Sequence, residues 1–86
     1  MNDMTTIPGN EQKLRRAFAE GLRLTESDVT DDLKYATSAG WDSVAHMALV
    51  AALDDAFDIM LDTDDVIDLS SYGKAREILA KYGIQF

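Results

Sequence analysis

The sequence has no cysteine, one histidine and one proline among its 86 residues. Without cysteine there can be no disulfide and no thiolate metal site. The lone histidine, His46, cannot build a metal centre without several carboxylates around it. No apolar run approaches the roughly 18–20 residues of a membrane span, so no membrane partner is expected. The opening MNDMTTIPGN lacks a basic n-region and an apolar h-region, so no signal peptide is expected and the cytoplasm is the expected compartment. Cations are scarce too: eight Lys and Arg stand against sixteen Asp and Glu, a net charge of -8. Phosphate contact needs basic residues, so nucleic acid is excluded as a partner, and proteins carrying basic patches are favoured.

The scarcity is local as well as global. From Trp41 to Ser71 there is no Lys or Arg, while Asp42, Asp54, Asp55, Asp58, Asp62, Asp64, Asp65 and Asp68 all fall there. An evenly solvated surface would mix the signs, so this middle third is expected to present an acidic contact face. The calcium-loop pattern does not fit it. Counting from Asp62, the sixth position is Ile67 where glycine is needed and the twelfth is Gly73 where glutamate is needed.

Apolar residues make up 47% of the chain, enough for a folded core rather than disorder. The length allows one domain, taken as residues 1–86, with modest net stability and nothing to staple it. Four helices can be drawn. The first runs from about Gly9 to Arg23 on a Leu14, Phe18, Leu22 stripe with Ala17 and Gly21 beside it, and Pro8 lies where a first turn tolerates it. Leu24 to Gly40 is a long polar connector in which Val29, Leu33 and Tyr35 are scattered apolar anchors. The second helix covers about Ser43 to Phe57, with Asp42 or Ser43 as cap. A short third spans about Thr63 to Leu69, capped by Thr63 or Asp62. The fourth runs from about Tyr72 to Tyr82 on Ala75, Ile78, Leu79 and Tyr82, with Gly83 at its C-terminal stop. Strands find no alternating run to build on. The fold class is therefore all-α, a small four-helix bundle of three longer helices and one short one.

The second helix has two apolar faces. At about 100° per residue, Leu49, Val50, Leu53 and Phe57 share one side and belong to the core. Val44, Met47, Ala48 and Ala51 share the opposite side, with Asp54, Asp55 and Asp58 one turn further on. A bundle this small cannot bury both. The outer strip, apolar first and acidic after, suits transient docking, in which apolar contact gives adhesion and charge gives steering.

Ser43 opens that helix within Gly40-Trp41-Asp42-Ser43-Val44. It can be a helix cap, a nucleophile or a modification site. The nucleophile reading fails, because Asp42 is badly placed to orient His46 and no Gly-x-Ser-x-Gly elbow is present. His46 is expected to be a partly buried structural residue. The segment resembles the Gly-x-Asp-Ser-Leu signature of acyl carrier proteins. The likeness continues through the helix from Met47 to Phe57 and the following Leu61-Asp62-Thr63-Asp64-Asp65-Val66-Ile67, and it is weaker before Val29.

The resemblance implies that Ser43 receives 4'-phosphopantetheine from coenzyme A through a separate magnesium-dependent phosphopantetheinyl transferase. The terminal thiol would carry acyl groups as thioesters, and the chain would be a carrier rather than a catalyst. It further implies that Asp42 contacts the transferase, that Val44, Met47, Asp54 and Asp55 meet acyl-loading and acyl-transferring enzymes, and that an acyl chain can enter the bundle by Leu49, Val50, Leu53 and Phe57. With Ala51 and Asp58 from the helical wheel, these form the expected partner face. This sequence departs from the family at Val44, where leucine is usual, at Ala48, where an acid is common, and at Trp41, where a small residue is common. These departures suggest a specialised member, and Asp42 argues against a peptidyl carrier. A monomer is expected; the cargo (fatty, polyketide, aminoacyl or lipid-A-type) stays open. The rival is an unmodified acidic adaptor in which Ser43 is only a cap.

Overall fold

The periodic apolar stripes fold as helices in a computed structural model that describes residues 9–36 and 40–86; Pro8 lies outside them. The chain forms α1 (Gly9–Leu22), a 3₁₀ turn (Glu26–Asp28), α2 (Ser43–Phe57), α3 (Thr63–Asp68) and α4 (Tyr72–Lys81). This is the small all-α bundle expected. No strand forms among the described residues, and only an isolated antiparallel bridge links Lys34 to Ser71. No described helix is long and apolar enough to cross a membrane.

Helix ends fall within a residue of expectation, and their geometry explains the differences. Arg23, Asp58 and Gly83 take left-handed backbone at φ of 58°, 54° and 88°, which stops α1, α2 and α4. In each case the next amide reaches back to the last turn: Leu24 to the Ala19 carbonyl at 2.9 Å, Ile59 to Asp54 at 3.0 Å, and Ile84 to Leu79 at 3.2 Å. These bonds satisfy carbonyls that the helix end would otherwise orphan.

The core gathers around Phe18 of α1, which meets Trp41 at 5.5 Å and Tyr72 at 5.0 Å between ring centroids, both in edge-to-face arrangement. Leu14, Leu49, Leu53 and Leu79 complete it, all essentially inaccessible. The long connector is packed down rather than free. Val29 and Leu33 are buried, whereas Tyr35, the third expected anchor, stays exposed. Phe57, assigned to the core face of α2, is only half-buried. It lies at the helix end against Phe86, with the Lys13 ammonium 5.6 Å from its ring centre.

Two polar clusters brace the bundle. The Tyr72 hydroxyl donates to Glu11 at 2.5 Å, and Arg15 and Arg76 lie over its ring. Burial, together with the Glu11 carboxylate, pushes that phenol well above its ordinary range. At the other end Asp65 of α3, expected on the acidic surface, is buried. It accepts from Lys81 at 2.5 Å and Tyr82 at 2.7 Å. These two donors hold its carboxyl below the usual carboxylate range.

Candidate functional site at the start of helix α2

Gly40 turns the chain into α2 at a φ of 86°, a conformation that L side chains rarely adopt. The next residue, Trp41, is buried and anchors the turn. Its indole can only donate, and it donates to His46 Nδ1 at 3.0 Å. Nδ1 is therefore the acceptor, so neutral His46 carries its proton on Nε2 and donates it to the Val66 carbonyl at 2.8 Å. One hydrogen-bonded chain thus joins the turn, α2 and α3. Both ring nitrogens are engaged away from Ser43, which is the physical reason that no Asp42-Ser43-His46 triad exists.

Asp42 is the helix cap. Its Oδ1 accepts from the Ala45 amide at 2.9 Å, and its carbonyl accepts from His46. Ser43 follows as the first helical residue, exposed, and its hydroxyl has no hydrogen-bond partner among the described residues. Of the two candidate caps, Asp42 is the one that caps, and the serine hydroxyl takes no part in it.

The outer strip of α2 is exposed near its start: Val44 is 80% and Met47 59% accessible, and Ala48 and Ala51 are exposed as well. The acidic end is less uniform than the wheel suggested. Asp58 is exposed at the helix end. Asp55 is exposed toward α1, sharing a hollow of about 230 Å³ with Lys13 and Arg16. Asp54 is half-buried, and its Oδ1 accepts from the Leu61 amide at 3.1 Å, pinning the α2–α3 loop. Sequence reasoning missed Ile67 of α3, 75% accessible, which lines a hollow with Tyr35 and His46 and extends the apolar surface beyond α2. It missed the Trp41–His46–Val66 chain too, for which the five-residue separation of Trp41 and His46 across a helix start was the available signal.

The family described as the phosphopantetheine attachment site matches residues 12–79. An acyl carrier protein of Guillardia theta is 29% identical over 70 residues, covering 81% of this chain and 86% of that protein. No solved structure gives a significant match. The match to the family runs from the second turn of α1 into the last turn of α4 and so takes in the whole bundle, and the chain belongs to the acyl-carrier-protein family of phosphopantetheine-binding domains.

Proposed function

We propose that this chain, as one domain over residues 1–86, is a cytoplasmic acyl carrier modified on Ser43. The observation that carries the reading is the exposed Ser43 at the first turn of α2, whose hydroxyl has no hydrogen-bond partner among the described residues because Asp42 does the capping. Such a hydroxyl fits the attachment chemistry. Ser43 Oγ attacks the pantetheine-side phosphorus of coenzyme A, the bond to adenosine 3',5'-bisphosphate breaks, and the hydroxyl proton passes to a base on the transferase. The resulting phosphodiester anion sits at the positive end of a 15-residue helix. When bound, 4'-phosphopantetheine supplies a terminal thiol able to hold acyl groups as thioesters, which a chain without cysteine lacks.

The remaining residues position and present that group. Trp41 and His46 hold the turn rigid ahead of Ser43. Val44, Met47 and Ala51, joined by Ile67, give partner enzymes an apolar contact, and Asp42, Asp55 and Asp58 give them charge to steer by. Asp54 adds to that field while serving the loop. The partners are a phosphopantetheinyl transferase and acyl-loading and acyl-transferring enzymes with basic patches, met by a monomeric shuttle.

The test is intact-protein mass after incubation with coenzyme A, magnesium and a broad-specificity transferase. The parent should gain one phosphopantetheine, and Ser43→Ala should gain none. A folded parent that gains nothing with several transferases would be an adaptor whose acidic face binds protein without modification.

A further inference from the structure

The chain holds sulfur only in its four methionines, because it has no cysteine. A thiolate, where one exists, takes up a mild oxidant first, and here that sink is missing. Met1 and Met4 fall outside the described residues. Met47 and Met60 are both open to solvent, at 59% and 82% accessible. Met60 stands in the loop between α2 and α3, off the outer strip of α2. Met47 stands within that strip, one turn beyond Ser43 and on the same side of the helix. Among the described residues, the only sulfur on the proposed docking strip is therefore that of Met47.

A thioether and its sulfoxide behave differently at a contact. The thioether is apolar, polarisable and pliable, which lets it pack against more than one partner. The sulfoxide is polar and chiral, and its oxygen is an acceptor that needs a donor once taken out of water. Val44, Ala48 and Ala51, its neighbours on the strip, have no donor side chain. An apolar partner surface has none either. Docking would bury an unpaired acceptor at the point where apolar contact gives adhesion. The same oxygen on Met60 would stay in water and leave the strip as it was.

We infer that Met47 is a site of reversible oxidation by hydroperoxides, and that its sulfoxide weakens the docking of partner enzymes at the start of α2. The inference rests on the docking role proposed for that strip and adds its regulation. In the forward step the Met47 Sδ lone pair attacks one peroxide oxygen and the O–O bond breaks. Sulfur is oxidised by two electrons, the peroxide is reduced, and its second oxygen takes up the proton and leaves as water. In the return step two thiols of a reductase give up two electrons and two protons and become a disulfide, and the sulfoxide oxygen leaves as water. Each sulfoxide epimer needs its own reductase.

The experiment uses the full chain without phosphopantetheine, so that no thiol competes for the oxidant. Untreated protein is first offered coenzyme A, magnesium and a broad-specificity transferase. A folded sample that gains nothing overturns the carrier reading, and this inference with it. Folded protein is then treated with hydrogen peroxide, and peptide masses locate the added oxygen. Met47 should gain one, and a Met47 left unoxidised overturns the site. The helical circular dichroism should be unchanged; loss of helix would put the effect in folding rather than in contact and overturns the docking role. On oxidised protein the transferase KM should rise at least about fivefold with kcat little changed, the pattern of lost uniform binding. An unchanged KM overturns the effect on docking and leaves the carrier reading standing. Met60→Leu should keep the whole rise on peroxide treatment. Met47→Leu, whatever its starting KM, should show none, and a rise that persists there overturns the role of Met47. Methionine sulfoxide reductases for both epimers, with dithiothreitol, should restore the parent's KM; a rise that they leave in place overturns reversibility.

Discussion

At Gly21 the backbones of α1 and α2 meet. A Cβ built there would stand 2.5 Å from Leu49 Cα and 2.9 Å from Leu49 N, and backbone atoms cannot swing aside as a side chain can. Gly21→Ala therefore forces the helices apart. Overpacking of this kind costs about 1–3 kcal/mol, and contact with backbone puts it at the upper end. The better helix propensity of alanine returns about 1 kcal/mol. A net loss of about 2 kcal/mol should lower the melting temperature by roughly 8–16 °C for a domain this size. A melting temperature equal to or above the parent's would mean that the helices separate there without loss. Asp42 and Ser43 teach a related lesson about single positions. Both residue types cap helices well, so composition left the choice open. The extended backbone of Asp42 decides it, and that decision frees the serine.

The elements were legible where one periodic stripe dominates. Helices α1 and α4 could be drawn to within a residue because Leu14, Phe18 and Leu22, and Ala75, Ile78 and Leu79, repeat on one face. What held α3 in place was not legible. Its six residues carry no such stripe, and Asp65 looked like one more surface acid. Its fixation depends on Lys81 and Tyr82, about sixteen residues later, and such distant polar pairing leaves no periodic mark. The Asp65 carboxyl is held below its ordinary value of 3.8, so its ionised form favours the folded state. That contribution is present above the unfolded value and is lost as pH falls through the folded one. Acidification also protonates other carboxylates and relieves the self-repulsion of a chain with net charge -8, so the effect should be local rather than global. Below about pH 4, amide hydrogen exchange at Val66 and Leu69 should quicken before that of Leu49 and Leu53. Asp65→Asn should show quick exchange at those two positions already at neutral pH. Exchange in α3 that follows α2 at every pH would show that Asp65 does not hold the element.

Across the whole molecule, charge is sorted by use. Arg15, Arg16 and Arg76 are drawn into ion pairs with Glu11, Glu26 and Asp31, which brace the α1 and α4 side of the bundle. Asp55 and Asp58 are exposed and have no ion pair within 4 Å among the described residues, so their field reaches solvent, that of Asp55 partly offset by Lys13 and Arg16 in the hollow it shares with them. The sequence pattern showed this asymmetry, but it did not show that Asp54 also supports the loop at Leu61, which makes Asp54 a poor probe of docking alone. Asp55→Lys with Asp58→Lys tests the field without removing that hydrogen bond. If the face steers a basic transferase, the association rate for the parent should fall about tenfold between 50 and 500 mM salt, because exposed charges are screened over about 10 Å at 0.1 M and less above it. The double variant should start slow at low salt and lose little more on addition of salt, while its rate at high salt approaches the parent's. Stopped-flow mixing over that salt range separates the cases: parallel curves for parent and variant would place the steering charge elsewhere, whereas curves that converge as salt rises assign it to the end of α2.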